Sequence, residues 1–260
     1  MLRAVRATRY VMPLREGGSL PAIVEADDDG LYVLKFRAAG QGPKALIADL
    51  LGSELGRALG LPIPELVLVE LDPAIGRNEP DAEIQQLLVG SPGLNLGVDF
   101  LPGALGFDPL VLSAFTPELA AKVVWFDAFI TNVDRTPRNP NILIWHREPW
   151  LIDHGAGFYF HHAWDGYLEK AANPFPAIAK HVLLSRAGSV PAADAELRPL
   201  LDAAALERLV DLLPAGWLEL DAHFPSAADA RAAYLAYLQR RVEHAGTFVE
   251  EAERARTARL

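Results

Sequence analysis

The chain has 260 residues, of which 51% are hydrophobic and 22% are charged, a composition typical of globular proteins and unlike that of disordered chains. At this length we expect one large domain or two lobes that share a cleft. The 34 acidic and 24 basic side chains give a net charge of −10, which argues against broad electrostatic binding to nucleic acid or to an anionic membrane surface.

The sequence contains no cysteine, so disulfides, thiolate zinc sites and cysteine nucleophiles are excluded. Its beginning lacks the apolar run of a signal peptide, and no stretch reaches the roughly 18 apolar residues of a membrane span. We therefore expect a soluble, cytoplasmic protein.

The first third has the pattern of strands and turns that is typical of an antiparallel sheet. Short apolar segments alternate with glycine- and aspartate-rich turns, which predicts a meander of three strands followed by further strands. Between them, residues 44–59 carry apolar side chains at helical spacing and end at Gly60, which predicts a helix. The predicted strands are 10–14, 20–25, 31–36, 65–71 and 84–89.

A loop rich in Gly, Pro and Ser at 90–106 separates this strand-rich part from a part with helical patterns. We place a lobe boundary in this loop. The sequence therefore predicts a strand-rich lobe of residues 1–102 and a helical lobe of residues 103–260.

The second part begins with a helix whose start is marked by Thr116 as the cap and Pro117 at the first helical position. Apolar runs at 142–145 and 150–152 predict a β-hairpin. A long helix is expected after Ser226, and the arginines Arg240 and Arg241 are expected on its outer, solvated face.

Two charged side chains fall where periodicity calls for apolar ones. Glu54 lies in the middle of the apolar stripe of the predicted helix, whereas Asp49 projects to the opposite side with Gly52 and Gly56, as a solvated acid would. Strand alternation places Lys35 among apolar neighbours. Because an unpaired buried carboxylate is costly, we predict an ion pair between Lys35 and Glu54. The alternative is that Lys35 extends to water at a strand end and Glu54 lies at the edge of its stripe.

A polar loop at 132–141 follows the apolar helix and precedes the hairpin. Pairing the hairpin about Arg147 places Asn141 opposite Asp153, about 5 Å apart, and Asp134 lies in the same loop. Carboxylate and amide oxygens are ligands suited to magnesium bound together with phosphate. The alternative is that these residues only cap turns.

An inward lysine and glutamate in a strand-rich lobe, with an Asp, Asn, Asp series in a helical lobe, match the parts of a phosphotransferase. The same residues resemble those of the HipA-like kinases, a branch of the protein-kinase-like superfamily that also includes the phosphoinositide kinases. The resemblance covers most of the chain. Its motifs are Tyr32-Val33-Leu34-Lys35-Phe36, Glu54 with Leu59-Gly60-Leu61-Pro62-Ile63-Pro64-Glu65, Asn132-Val133-Asp134-Arg135 followed by Asn139, and Ile152-Asp153-His154-Gly155.

The resemblance implies an α+β, two-lobed protein-kinase-like fold with ATP and Mg²⁺ in the cleft. It implies that Lys35 binds ATP phosphate, that Glu54 pairs with Lys35, that Asp134 is the catalytic aspartate and that Asp153 binds the metal. The family's spacing selects Asn139 as the second metal ligand, whereas the hairpin pairing selects Asn141. Both asparagines are therefore carried forward.

The sequence departs from kinase patterns at two places. His154 stands where Phe is usual, and no glycine-rich phosphate motif or Walker lysine motif is present. A glycine-rich turn is the nearest substitute for the phosphate loop, and backbone groups at the lobe junction are predicted to bind adenine. The predicted nucleotide-binding groups besides Lys35 are Gly17, Gly18 and Ser19 in the turn and Asp99, Phe100 and Leu101 at the junction.

The sequence thus predicts an ATP-dependent phosphotransferase that acts on a hydroxyl, with a protein Ser/Thr, a small molecule or the chain itself as acceptor. The alternative is a pseudokinase-like module that binds nucleotide or a partner without turnover. A weaker alternative is a transition-metal site formed by Asp153 with His154, His161 and His162.

Overall fold

The computed structural model describes residues 2–14, 20–40, 42–76, 79–110 and 112–259. Five strands form a closed barrel in the order β1-β2-β3-β5-β4, in which all neighbours are antiparallel except β1 and β4. The predicted meander is confirmed as its first three strands. The strands are β1 Ala4–Pro13, β2 Ala22–Ala26, β3 Leu31–Lys35, β4 Leu66–Leu71 and β5 Gly93–Asp99.

The barrel interior explains why β5 contains a glycine. Gly97 pairs with Leu34 on one side and Val67 on the other. A Cβ atom on Gly97 would lie 2.6 Å from a methyl carbon of Val69 and 2.8 Å from one of Val67. The neighbouring strands can pack this closely only if position 97 has no side chain.

Two predictions in this region are wrong. Residues predicted as the strand 84–89 form the helix α2 (Ala82–Gly90), because Asp81 caps its first turn and Ile84 and Leu88 bury one face. The predicted loop 90–106 contains β5, the strand between β3 and β4. Its glycines indicate close packing inside the barrel as well as turns.

Helix α1 (Pro43–Ala58) crosses from the barrel to the second part of the chain. Its apolar residues belong to the same buried core as those of α3 (Pro117–Phe129). The predicted cap of α3 is confirmed, since the Thr116 hydroxyl accepts a hydrogen bond from the Leu119 amide at 3.1 Å.

The second part combines a small sheet, β6-β7-β8, with helices. The predicted hairpin is confirmed, but the turn is the two-residue pair His146 and Arg147, both with positive φ, as in a type I′ turn. Ile142 therefore pairs with Leu151, and Asn141 lies opposite Ile152, one residue short of the predicted Asp153. The sheet strands are β6 Leu105–Gly106, β7 Ile142–Trp145 and β8 Glu148–Leu151.

The long helix expected after Ser226 is two helices that meet at His244. In the described part of the chain, no helix combines the length and apolarity that crossing a membrane requires. The remaining helices are α4 Tyr167–Ala171, α5 Val190–Leu197, α6 Ala203–Val210, α7 Ala215–Leu218, α8 Ala227–Glu243 and α9 Ala245–Thr257.

Candidate nucleotide and catalytic site

Lys35, at the end of β3, joins three parts of the molecule. Its Nζ atom lies 2.5 Å from Asp49 Oδ2 on α1, an ionic contact, and donates a hydrogen bond of 2.8 Å to Asp153 Oδ1 just after β8. The Asp49 side chain is 2% exposed, that of Lys35 is 14% exposed and that of Asp153 is 44% exposed. The ammonium therefore has one enclosed anionic partner and one that is exposed to solvent.

The predicted Lys35 and Glu54 ion pair is wrong. Glu54 lies 3.3 Å from Arg57 Nε on the same helix, and Lys35 pairs with Asp49 instead. The error came from assigning the face with Gly52 and Gly56 to solvent. A Cβ on Gly52 would lie 2.8 Å from His154 Cβ, so the glycines mark the side on which α1 packs most closely.

Electrostatics keep both charges of the buried pair in place. Burial alone would lower the pKa of Lys35, but Asp153 and Asp49 outweigh it and hold the pKa above its usual value. Burial alone would raise the pKa of Asp49, but Lys35 and His154 hold it well below its usual range. Asp49 Oδ1 also accepts a hydrogen bond from the His154 amide at 2.8 Å.

The loop that carries Asp134 is anchored by a separate buried network. The Asp127 carboxylate on α3 accepts hydrogen bonds from Arg135 Nε at 2.6 Å, His181 Nε2 at 2.8 Å and Asn132 Nδ2 at 2.9 Å. Arg135 Nη1 in turn donates to the Asn141 carbonyl at 2.5 Å. These contacts fix both ends of the loop from 132 to 141.

The two candidate metal-binding asparagines have different neighbours. Asn139 Nδ2 donates to Asp134 Oδ2 at 2.7 Å, whereas Asn141 Nδ2 lies 3.5 Å from the Asp153 carbonyl. Asn141 is therefore beside the proposed metal ligand, and Asn139 is beside the proposed catalytic carboxylate. This arrangement favours Asn141 for the metal.

The donor chemistry around Asp153 fits magnesium held jointly with phosphate. Only one oxygen of the Asp153 carboxylate contacts Lys35, and the side-chain amide of Asn141 lies beside the Asp153 carbonyl. Across the described residues, no three His, Cys, Asp or Glu side chains could by themselves hold a metal ion. Because Mg²⁺ keeps several waters and phosphate oxygens as ligands, two protein ligands suffice for it.

The histidines after Asp153 do not form the transition-metal site considered above. His154 is buried and its Nδ1 lies 3.0 Å from the Ser53 hydroxyl, while His161 Nδ1 lies 2.9 Å from the Tyr234 hydroxyl. Burial lowers the pKa of both imidazoles. Each ring is thus a packed, neutral group, and His154 also stacks edge to face on Phe126.

The junction after β5 leaves few backbone groups for adenine. The Asp99 amide donates to the Glu65 carbonyl at 2.8 Å and the Phe100 amide to the Leu31 carbonyl at 3.0 Å. The Leu101 amide and the Phe100 carbonyl have no hydrogen-bond partner among the described residues. The predicted phosphate-loop residues Gly17, Gly18 and Ser19 lie outside the described residues.

Sequence reasoning also misplaced Arg241. Its side chain is fully buried and donates to the carbonyls of Ala128 at 2.7 Å and Phe129 at 3.1 Å, at the end of α3. It further donates to the carbonyls of Ala171 and Asn173. Arg241 is therefore a buried cap that holds the helix preceding the Asp134 loop, and the prediction of a solvated position is wrong.

Three other residues at the site were missed: Asp49, Asp127 and His181. Asp127 was detectable, because a carboxylate inside the apolar run of α3 needs a cation, and Arg135 follows eight residues later. Asp49 was detectable from the glycines three and seven residues further along α1. No local signal marks His181, which reaches Asp127 from a distant loop.

Comparison with solved structures gives a kinase-like fold. A Helicobacter pylori proinflammatory kinase, CtkA, aligns over 99% of both chains with 11% identity and a TM-score of 0.55. Golgi casein kinase aligns over 96% of this chain and 72% of its own, with 13% identity and a TM-score of 0.48. Its structure with Mn/ADP bound aligns over 96% of this chain and 73% of its own, with 13% identity and a TM-score of 0.49.

No curated protein matches the chain in sequence at a significant level. A family model, that of the HipA-like kinases, matches residues 8–246. That range is most of the chain and includes most of the barrel, α1 and the Asp134 and Asp153 loops. The chain belongs to the HipA-like kinase family.

Proposed function

We propose that the chain is an ATP-dependent phosphotransferase that moves the γ-phosphoryl group of ATP to a hydroxyl acceptor, with protein Ser or Thr hydroxyls as the first candidates. The observation that carries this proposal is the position of Lys35 between the enclosed Asp49 and the exposed Asp153. Membership of the HipA-like kinases supports it. In this proposal the nucleotide lies between a lobe of residues 1–102 and a lobe of residues 103–260.

Lys35 would bind the phosphates of ATP, and its contact with the buried Asp49 would hold the ammonium in place. Asp153 and Asn141 would hold Mg²⁺, which neutralises charge on the phosphates as the phosphoryl group transfers. Because Lys35 contacts two carboxylates before any ligand binds, its position is already set. Catalysis of this kind consists mainly of positioning and charge neutralisation.

Adenine would lie against the cleft face of the barrel. The register places Ile23, Val33 and Val98 side by side, on the same face of the sheet as Lys35. At the junction, the free Leu101 amide would donate to an adenine nitrogen, and the Phe100 carbonyl would accept from the exocyclic amine. These groups offer an apolar surface together with one donor and one acceptor.

Asp134 would act on the acceptor. Its carboxylate would orient the acceptor hydroxyl and take its proton while the oxygen bonds to the γ-phosphorus, the bond to the β,γ-bridging oxygen breaks and ADP leaves. The Asn139 amide already holds one oxygen of Asp134 at 2.7 Å, which fixes the direction of the carboxylate. Arg135 and Asp127 would hold the loop without touching substrate.

The proposal is tested by ATP turnover against protein, small-molecule and self acceptors, with and without Mg²⁺. Asp134→Asn should lower phosphoryl transfer by roughly a hundredfold or more and leave ATP binding nearly unchanged, since its partner is the acceptor. Asp165→Asn, which changes an exposed carboxylate, is the matched control. Undiminished turnover in Asp134→Asn would contradict the proposed role. Tight ATP binding without turnover in the wild type would instead support a pseudokinase.

A further inference from the structure

Lys44 lies where helix electrostatics disfavour a cation. It follows Pro43 in the first turn of α1, and that turn contains no acidic residue. The N-terminus of a helix carries partial positive charge, so anions are stabilised there and cations are not. The capping position is Gly42, which has no side chain to accept a hydrogen bond. A contact outside the helix must account for this lysine.

Such contacts are present. Lys44 Nζ donates to the His161 carbonyl at 2.6 Å and lies 3.0 Å from Asp221 Oδ2. Asp221 also accepts hydrogen bonds from Trp164 Nε1 at 2.8 Å and from the His223 amide at 3.1 Å. Burial opposes ionisation of Asp221, but the hydrogen bonds from Trp164 and Lys44 outweigh it and keep its pKa below the usual value.

The far side of this contact is rigidly packed. Phe160 stacks on Tyr237 of α8 with ring centroids 3.5 Å apart, and Trp164 packs edge to face on Tyr234. The His161 ring is buried and lies 2.9 Å from the Tyr234 hydroxyl. The segment that Lys44 contacts is therefore fixed to α8, so the lysine connects the start of α1 to the second part of the molecule.

The segment after Asp153 contains few side chains that could carry a phosphate. Residues 154–184 contain no Ser and no Thr, and their only tyrosines are Tyr159 and Tyr167. Many kinases order this segment, and the helix equivalent to α1, through a phosphorylated residue paired with basic side chains. In this chain the anion that meets the basic side chain of α1 is the carboxylate of Asp221.

We propose that the ion pair between Lys44 and Asp221 takes the place of an activating phosphate. It holds the start of α1 against the segment 158–164, and so keeps Asp49, five residues further along the helix, in contact with Lys35. Lys44 and Asp221 are thus positioning residues, and the site is set for ATP without modification of the chain. This inference rests on the proposed function for the role of Lys35, but the position of α1 can be measured without turnover.

The test compares Lys44→Ala and Asp221→Asn with Lys122→Ala, which removes an ion pair with Glu196 away from the cleft. Hydrogen exchange of the amides of residues 44–50 should become about ten- to a hundredfold faster in the first two variants, the effect expected for loss of a charged hydrogen bond. It should not change in Lys122→Ala. Lys44→Arg should restore slow exchange, which a general loss of folding would not allow.

Turnover provides the second readout. We expect Lys44→Ala to lower kcat by about tenfold or more and leave the KM for the acceptor unchanged, and phosphatase treatment to leave the wild type unaffected. Unchanged exchange at 44–50 in both variants, or wild-type activity that requires a phosphate on any side chain, would overturn the proposal. A wild type without turnover would count against the proposed function, while the exchange result would still decide on the ion pair.

Discussion

Lys35 is a partly buried cation and Arg135 a fully buried one, and aspartates hold both, yet their surroundings differ. Lys35 contacts two carboxylates, and one of them, Asp153, is 44% exposed to solvent. Arg135 contacts a single carboxylate, Asp127, and both side chains are fully enclosed. The other polar partners of Asp127 in this closed network are the Asn132 amide and His181, which is neutral because burial lowers the pKa of its imidazole.

The difference separates the proposed binding site from a structural cluster. The Lys35 cluster carries one surplus negative charge beside open solvent, which a cation can neutralise. The Asp127 cluster is balanced and closed, so no ligand can take part in it. Removing one acid from the first cluster leaves a matched pair, whereas removing the acid from the second leaves a buried cation alone.

The largest effect on stability is therefore expected for Asp127→Asn. Loss of this carboxylate leaves the Arg135 guanidinium buried without a counter-ion, which should lower the free energy of unfolding by about 3–5 kcal/mol. Urea denaturation would measure the change, with Asp153→Asn as the matched Asp-to-Asn control. A change below about 1 kcal/mol in Asp127→Asn would mean that the two clusters do not differ as described.

A smaller effect is expected for Asp49→Asn, and mainly on ligand binding. Asp49 fixes the Lys35 ammonium, and a hydrogen bond to a charged group contributes about 1.5–3 kcal/mol, so ATP affinity should fall by about ten- to a hundredfold. Isothermal titration calorimetry would measure it. Unchanged ATP affinity would remove Asp49 from the site.

The pH dependence of stability should reflect the enclosed histidines. Burial lowers the pKa of His161 to about 3 and that of His181 below its usual value. As pH falls below about 6.5, the unfolded chain binds protons that these folded imidazoles do not, so the free energy of unfolding decreases. Each contributes a slope approaching about 1.4 kcal/mol per pH unit.

This slope can be assigned to a residue. Denaturation at several pH values between 7 and 4 should show a shallower decline in His161→Asn than in the wild type, because one titrating group is gone. An equal slope in both proteins would show that His161 does not remain neutral in the folded state.

The smallest effect is expected for Glu54→Gln. Glu54 pairs with the exposed Arg57, although its own side chain is only 17% exposed, and ion pairs with one partner in water contribute about 1 kcal/mol. ATP affinity and turnover should match the wild type, in contrast with Asp49→Asn. A loss of ATP affinity as large as that of Asp49→Asn would instead support Glu54 as the partner of Lys35.

The sequence was sufficient for the parts of the fold that local patterns determine. Turn residues predicted the meander, the Thr116 and Pro117 pair predicted the start of α3, and apolar runs predicted the hairpin. The two-residue turn at His146 and Arg147 shifted the hairpin register by one residue, because either residue could be read as its centre.

The failures at the site share a physical cause. A glycine, a short polar side chain or an arginine has the same sequence signature whether it faces water or another element at close range. Gly52 and Gly97 were interpreted as breaks or as parts of a solvated face, although each lies where a neighbour leaves no room for a Cβ. The partner of Lys35 followed from that packing, which only the three-dimensional structure contains.

The central claim is that Lys35, Asp49 and Asp153 form a site for magnesium and ATP. The most direct test is calorimetric titration of wild type and Asp153→Asn with ATP, with and without Mg²⁺. We expect Mg²⁺ to strengthen ATP binding to the wild type by about tenfold or more and to have little effect in Asp153→Asn. Equal enhancement by Mg²⁺ in both proteins would contradict the account.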